Sequence, residues 1–212
     1  MDSQVKKHIT LFMLTALLTS LFLFLRSDWD PMHAWNRAFA DVSVLYLAAI
    51  LIIGSLSKLN NKMKLFLNWR KELGIWTGLT AFTHVYIIFD GWIRWNFMML
   101  FVVFNPFANS FDIHPGFAIG NLLGIVCLLY LLILLFTSNK KSIKFLGKEA
   151  WQYVQQRVHI YYILVALHTF YFLFLHVPHI PNVLRIPFLL LVVVVWFIHI
   201  LGFINVVMVK KR

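Results

Sequence analysis

The sequence predicts an all-α integral membrane protein, a bundle of six transmembrane helices with both termini in the cytoplasm. Three observations predict it. Of the 212 residues, 61% are hydrophobic and only 13% are charged, against roughly 25% charged residues in a soluble domain. Six apolar runs approach the ~20 residues that a helix needs to cross the hydrocarbon. Lysine and arginine concentrate on alternate connections. Helices are expected because lipid offers no partner to open backbone groups.

The first span, 8–25, follows Lys6 and Lys7 and ends at "SDWDP". A basic start before an apolar run also marks secretory leaders. Here "FLFLRSDWD" follows without a small-residue cleavage site, so an uncleaved helix is expected. The second span, 38–57, ends at "KLNNKMK", and the third, 72–90, begins behind Arg70 and Lys71. The fourth, 116–137, lies between "FNPFANSFDIHPG" and "TSNKKSIKFLGK". The fifth, 153–177, is closed by "HVPHIP", and the sixth, 184–207, runs to the basic carboxyl terminus. These spans leave no stretch of ~100 residues for a soluble catalytic domain. No repeat or linker divides the sequence, so 1–212 is expected to be one domain.

Charge orients the spans. The amino terminus, the second and fourth connections and the carboxyl terminus hold fifteen of the 19 basic residues; Arg26, Arg37, Arg94 and Arg185 hold the other side. That bias places both termini in the cytoplasm of a multi-pass protein, expected in a bacterial inner or plasma membrane. Five of eight acidic residues (Asp28, Asp30, Asp41, Asp90 and Asp112) fall on the outer side. The net charge of +11 is therefore a topology signal, not a nucleic-acid footprint. Cys127 is the single cysteine, which excludes a disulfide framework and a cysteine-rich metal site.

Of nine histidines, His84, His159, His168 and His199 lie within spans, where an ionisable side chain is costly and points to function. His84 stands 14 residues beyond Arg70, about 21 Å along a helix axis. His168 stands 13 beyond Gln155, about 20 Å. On two parallel spans these imidazoles reach the same outer-half depth, an arrangement that suits the two axial ligands of a heme iron. Zinc fits less well, because a closed site wants four ligands and no cysteine or carboxylate shares this depth. The bland reading is a neutral imidazole bonded to a neighbouring helix, and it is the expected one for His159 and His199. On the outer side His176 and His179 in "HVPH", with His114 and Asp112 in "FDIHPG", form a possible metal cluster; the simpler reading is unrelated polar residues at loop ends. Gly74 with Gly78, and Gly116 with Gly120, have the small-xxx-small spacing of close helix packing.

The segment "NWRKELGIWTGLTAFTH" resembles the third helix of the ferric reductase-like transmembrane domain family, and "LGKEAWQYVQQRVHIYYILVALH" resembles its fifth. The pattern is similar to that of the short bacterial heme subunit of the periplasmic methionine sulfoxide reductase system. An R-x-x-L-G-x-W segment precedes the third-helix histidine, here Arg70 to Trp76, and a W-Q-x-L-H segment opens the fifth helix. Trp151, Gln152 and Val154 fall on the latter, and His168 falls on the family's second fifth-helix histidine. The likeness runs from about Leu67 to His176.

The resemblance implies a heme b electron-transfer protein with His84 and His168 as axial ligands, carrying electrons outward from a cytoplasmic flavoprotein or a quinol. The acceptor would be ferric iron, a flavin or a partner reductase. Gln155 stands where the family has its first fifth-helix histidine, and Arg70 where its oxidases have another third-helix histidine. Neither suits iron, so one heme is expected rather than two, unless His159 supplies an inner ligand. A cationic, amide-lined inner mouth of Arg70 and Gln155 suits a heme propionate or the phosphate of FMN or FAD. No G-x-G-x-x-G fingerprint occurs, so a nicotinamide-oxidising flavoprotein would be a separate partner. Two other classes stay open: a non-redox membrane anchor or assembly subunit, and a histidine-based proton or metal transporter.

Overall fold

The computed structural model describes residues 3–176, 178 and 181–210. The described chain is predominantly helical. Five of its helical segments are long and apolar enough to cross a membrane: Ser3–Phe24, Pro31–Leu59, Pro115–Thr137, Lys148–Leu175 and Arg185–Val209. The chain divides into two compact units, residues 1–87 with 186–212, and residues 88–185.

The first unit contains α1 (Ser3–Phe24), α2 (Pro31–Leu59), α3 (Arg70–Ile87) and nearly all of α8 (Arg185–Lys210). α2 begins earlier than its apolar run because Asp30 accepts the His33 backbone N–H at 3.2 Å and Pro31 opens the helix. Both are ordinary helix-start devices. Ala34, Ala38, Val42, Leu47 and Leu51 recur at helical spacing and are buried. In lipid, apolar contact alone does not drive helices together, so small residues and interhelical hydrogen bonds matter. Thr15 Oγ1 and Tyr46 OH bond α1 to α2 at 2.7 Å, and Ser43 Oγ donates to the Thr77 carbonyl of α3 at 3.1 Å. α8 approaches α2 at Gly202, where a Cβ would lie 3.0 Å from the Ser55 carbonyl oxygen.

The expected third span is the exception among the six. α3 opens on Arg70, Lys71 and Glu72 and then carries Thr77, Thr80, Thr83 and His84, so it is not among the five helices apolar enough to cross on their own. It continues into a π-helical turn over Ile88–Trp92. Ahead of it, where the second span ends, lies a 3-10 helix, Asn61–Trp69, capped by the Asn60 side chain on the Lys62 N–H at 2.9 Å.

The second unit holds a short antiparallel hairpin, β1 (Val102–Asn105) and β2 (Ser110–Ile113), paired from Val102↔Ile113 to Asn105↔Ser110. Its tip is an Asx turn, with Asn105 Oδ1 accepting the Phe107 N–H at 3.0 Å, a local bond that Asn makes readily. Then come α4 (Pro115–Thr137), α5 (Lys140–Leu146), α6 (Lys148–Gln156) and α7 (Val158–Phe170). The expected fifth span is thus two helices, broken at Arg157 (φ −69°, ψ −1°), and α7 ends in a π-helical turn over Tyr171–Leu175. Trp151 and Gln155 bond the last turn of α4: Trp151 Nε1 donates to the Thr137 carbonyl at 2.8 Å, and Gln155 Nε2 to Thr137 Oγ1 at 2.8 Å.

Candidate functional site

His84 lies on the last turn of α3, half-buried against α2. Its Nδ1 bonds the backbone carbonyl oxygen of Asn36 at 3.0 Å, and the Asn36 side-chain amide donates to the carbonyl of His84 at 3.1 Å. A carbonyl oxygen only accepts, so Nδ1 carries the proton and the lone pair sits on Nε2. Asn36 is 6% exposed, and this reciprocal pair fixes both the tautomer and the plane of the ring.

In the second unit His168 repeats the arrangement. Its Nδ1 donates to the Gly120 carbonyl oxygen on α4 at 2.8 Å, again leaving the lone pair on Nε2. The approach depends on glycine. A Cβ on Gly124 would lie 2.7 Å from His168 Cε1, and one on Gly120 would lie 2.4 Å from Tyr171 Cδ1. Gly116, Gly120 and Gly124 therefore form a groove along α4 that receives Tyr171 and His168. The close packing expected at Gly116 and Gly120 is found, and Gly124 extends it. At Gly74 it is not found, since a Cβ there would meet nothing within 4 Å.

Rings continue from His168 within this unit. Phe172 meets His168 edge-on at 5.0 Å, Phe117 meets Phe172 at 6.2 Å, and Trp92 meets Phe117 at 5.3 Å. His176 joins them, stacked on Phe117 with centroids 5.1 Å apart.

The remaining expected site residues have local occupations. His114 caps α4, its Nδ1 accepting the Phe117 N–H at 3.1 Å. Asp112 accepts from Asn105 Nδ2 at 2.8 Å and Ser110 Oγ at 3.0 Å within the hairpin. His179 lies outside the described residues. Among the described residues no group of three or more His, Cys, Asp or Glu side chains could hold a metal ion. His199 Nδ1 bonds Ser55 Oγ on α2 at 3.1 Å. His159 sits half-buried in the first turn of α7.

Arg70 and Gln155 behave differently from one another. Gln155 directs both amide N–H groups at α4, to Thr137 Oγ1 and to the Leu134 carbonyl at 3.2 Å. Ser138 Oγ donates to its Oε1 at 3.4 Å. Its amide is thereby committed to holding α6 on α4. Arg70 lies over Gly54, where a Cβ would stand 3.5 Å from its Cζ, and its Nε is buried without a hydrogen-bond partner among the described residues.

Sequence reading missed Asn36 and Gly124. The first acts through a backbone carbonyl, which no residue type announces; the second was visible in the four-residue spacing that continues from Gly116 and Gly120. No protein-family model matches this sequence, and no match to it was found among the curated proteins.

Proposed function

We propose that the protein is a membrane cytochrome b of the ferric reductase-like type, with His84 and His168 as the axial ligands of one heme. The observation that carries this reading is the tautomer held on both imidazoles. Each donates Nδ1–H to a carbonyl of the adjacent helix, which selects the tautomer with its lone pair on Nε2, the form an iron ligand requires, and raises its basicity. Bound heme supplies one-electron chemistry, and the chain sets its ligation and surroundings. Asn36 and the α4 glycines keep the two rings from turning. Phe172 packs edge-on against His168, and Phe117 backs Phe172. α3 is the sixth span in this reading, both termini are cytoplasmic, and the protein resides in a bacterial inner or plasma membrane.

Arg70 is the group suited to an anion at the inner end, a propionate or a flavin phosphate. Gln155 has no amide N–H left for that task. The donor is a separate flavoprotein reductase or a quinol, and the acceptor is on the outer side: ferric iron, a flavin or a partner reductase.

The same two hydrogen bonds are what purely structural histidines would make, so a non-redox anchor is the second reading. A reduced-minus-oxidised visible spectrum of the purified protein separates them. The cytochrome reading expects a sharp α-band that disappears in both His84→Ala and His168→Ala and persists in His176→Ala. A folded, colourless protein would support the anchor and end the cytochrome reading.

A further inference from the structure

We propose that α5 and its flanks form a binding surface for anionic phospholipid headgroups, with Phe145 inserted among the acyl chains beneath them. α5 connects Pro115–Thr137 to Lys148–Leu175, both long and apolar enough to cross a bilayer, so it lies at one membrane face. Hydrogen bonds hold it at that level from both sides. Asn139 Nδ2 and Ser142 Oγ donate to the Phe136 carbonyl at 2.7 and 3.0 Å, and Trp151 Nε1 donates to the neighbouring Thr137 carbonyl. The excursion therefore leaves and rejoins the same turn of α4. Gly147, with φ of +78°, makes the reversal between α5 and α6, a conformation that glycine adopts without strain.

The exposed face of this excursion has one chemistry. Lys140 and Lys144 are a turn apart on α5, with Lys141 beside them and Lys148 just past the glycine, and all four are exposed. Glu149 is the one acid between Ser138 and Gln156. Among the described residues none of the four lysines makes an ion pair or hydrogen bond. Between them Phe145 is 90% exposed, while Ile143 and Leu146 are half-buried. Lysines alone would suit water. A bare phenylalanine among them, held at headgroup depth, suits the boundary of an anionic leaflet, where basic side chains meet phosphates and an aromatic ring enters the chains. A soluble acidic partner would satisfy the charge but would leave a bare aromatic ring at the membrane face unaccounted for. This surface operates whether or not heme binds.

The test uses the full chain in vesicles, with a nitroxide spin label on Phe145→Cys in a Cys127→Ala background. In phosphatidylcholine containing phosphatidylglycerol, the label should become accessible to dissolved oxygen and shielded from a water-soluble nickel chelate. In phosphatidylcholine alone it should stay aqueous. Lys144→Gln should reduce the label's partition into lipid about five-fold, the contribution of one lysine near an anionic leaflet. An aqueous label in both vesicles would overturn the proposal, as would an equally immersed label in both, since charge would then play no part. The labelled variant is not the sole readout. The unmodified protein should retain more phosphatidylglycerol through purification than a variant with all four lysines changed to glutamine, and equal retention would also overturn it.

Discussion

A single carbon decides whether His168 keeps its place. Gly124→Ala puts a methyl 2.7 Å from His168 Cε1, closer than real Cβ contacts come, so the ring or the helix must shift, straining the bond to the Gly120 carbonyl. In the cytochrome reading this variant loses the heme band while its helical circular dichroism stays near that of the unmodified protein. Gly116→Ala, whose Cβ would lie 3.2 Å from the terminal hydroxyl of Tyr171 and not against His168, should keep the band. A Gly124→Ala protein with an unchanged spectrum would remove His168 from the ligand set. At this scale the sequence disclosed the imidazoles, because an ionisable side chain in an apolar run is conspicuous. It did not disclose their uses. His114 and His176 look alike beside prolines, yet one caps a helix and the other stacks on Phe117, and neither residue type nor spacing distinguishes those fates.

Between elements, the turn that follows α1 is tied to α2 by an ion pair between Arg26 and Asp41, with the Arg26 side chain 3% exposed. Arg26 also lies over the rings of Phe22 and Trp29. Removing one partner of such a pair leaves a buried charge uncompensated, which costs about 3–5 kcal/mol. Asp41→Asn should therefore lower the thermal unfolding temperature of the detergent-solubilised protein sharply. The paired change Arg26→Met with Asp41→Leu should be much milder, because apolar replacements of both partners are often neutral. Equal losses would mean that the pair is not what joins these helices. The apolar runs and their order were legible in the sequence, as hydrophobic length is a robust signal. The breaks were not. Arg157 interrupts the fifth run without proline or glycine, with its guanidinium 3.8 Å from the Tyr153 ring centroid and α6 bonded to α4 just before it. The 3-10 helix and the hairpin arise from asparagine side chains bonding nearby N–H groups, which at sequence level resemble any polar turn.

For the whole molecule, composition and the fifteen-to-four division of basic residues argue for a multi-pass protein oriented with its termini inside, and five apolar helices agree with the membrane part of that account. α3, with three charges at its start and hydroxyls along its length, depends on its neighbours, as the Ser43–Thr77 and Asn36–His84 bonds illustrate. One bis-histidine heme is the proposed content, because Arg70 and Gln155 stand where the resembled family has an inner pair of ligands. Gln155 is bonded to α4, and a guanidinium has no lone pair for iron. The direct measurement is heme per chain by pyridine hemochrome against protein concentration, in the unmodified protein and in His159→Ala. The account predicts a ratio near one in both. A ratio near two that falls by half in His159→Ala would contradict it, and a ratio of zero in folded protein would contradict the cytochrome reading altogether.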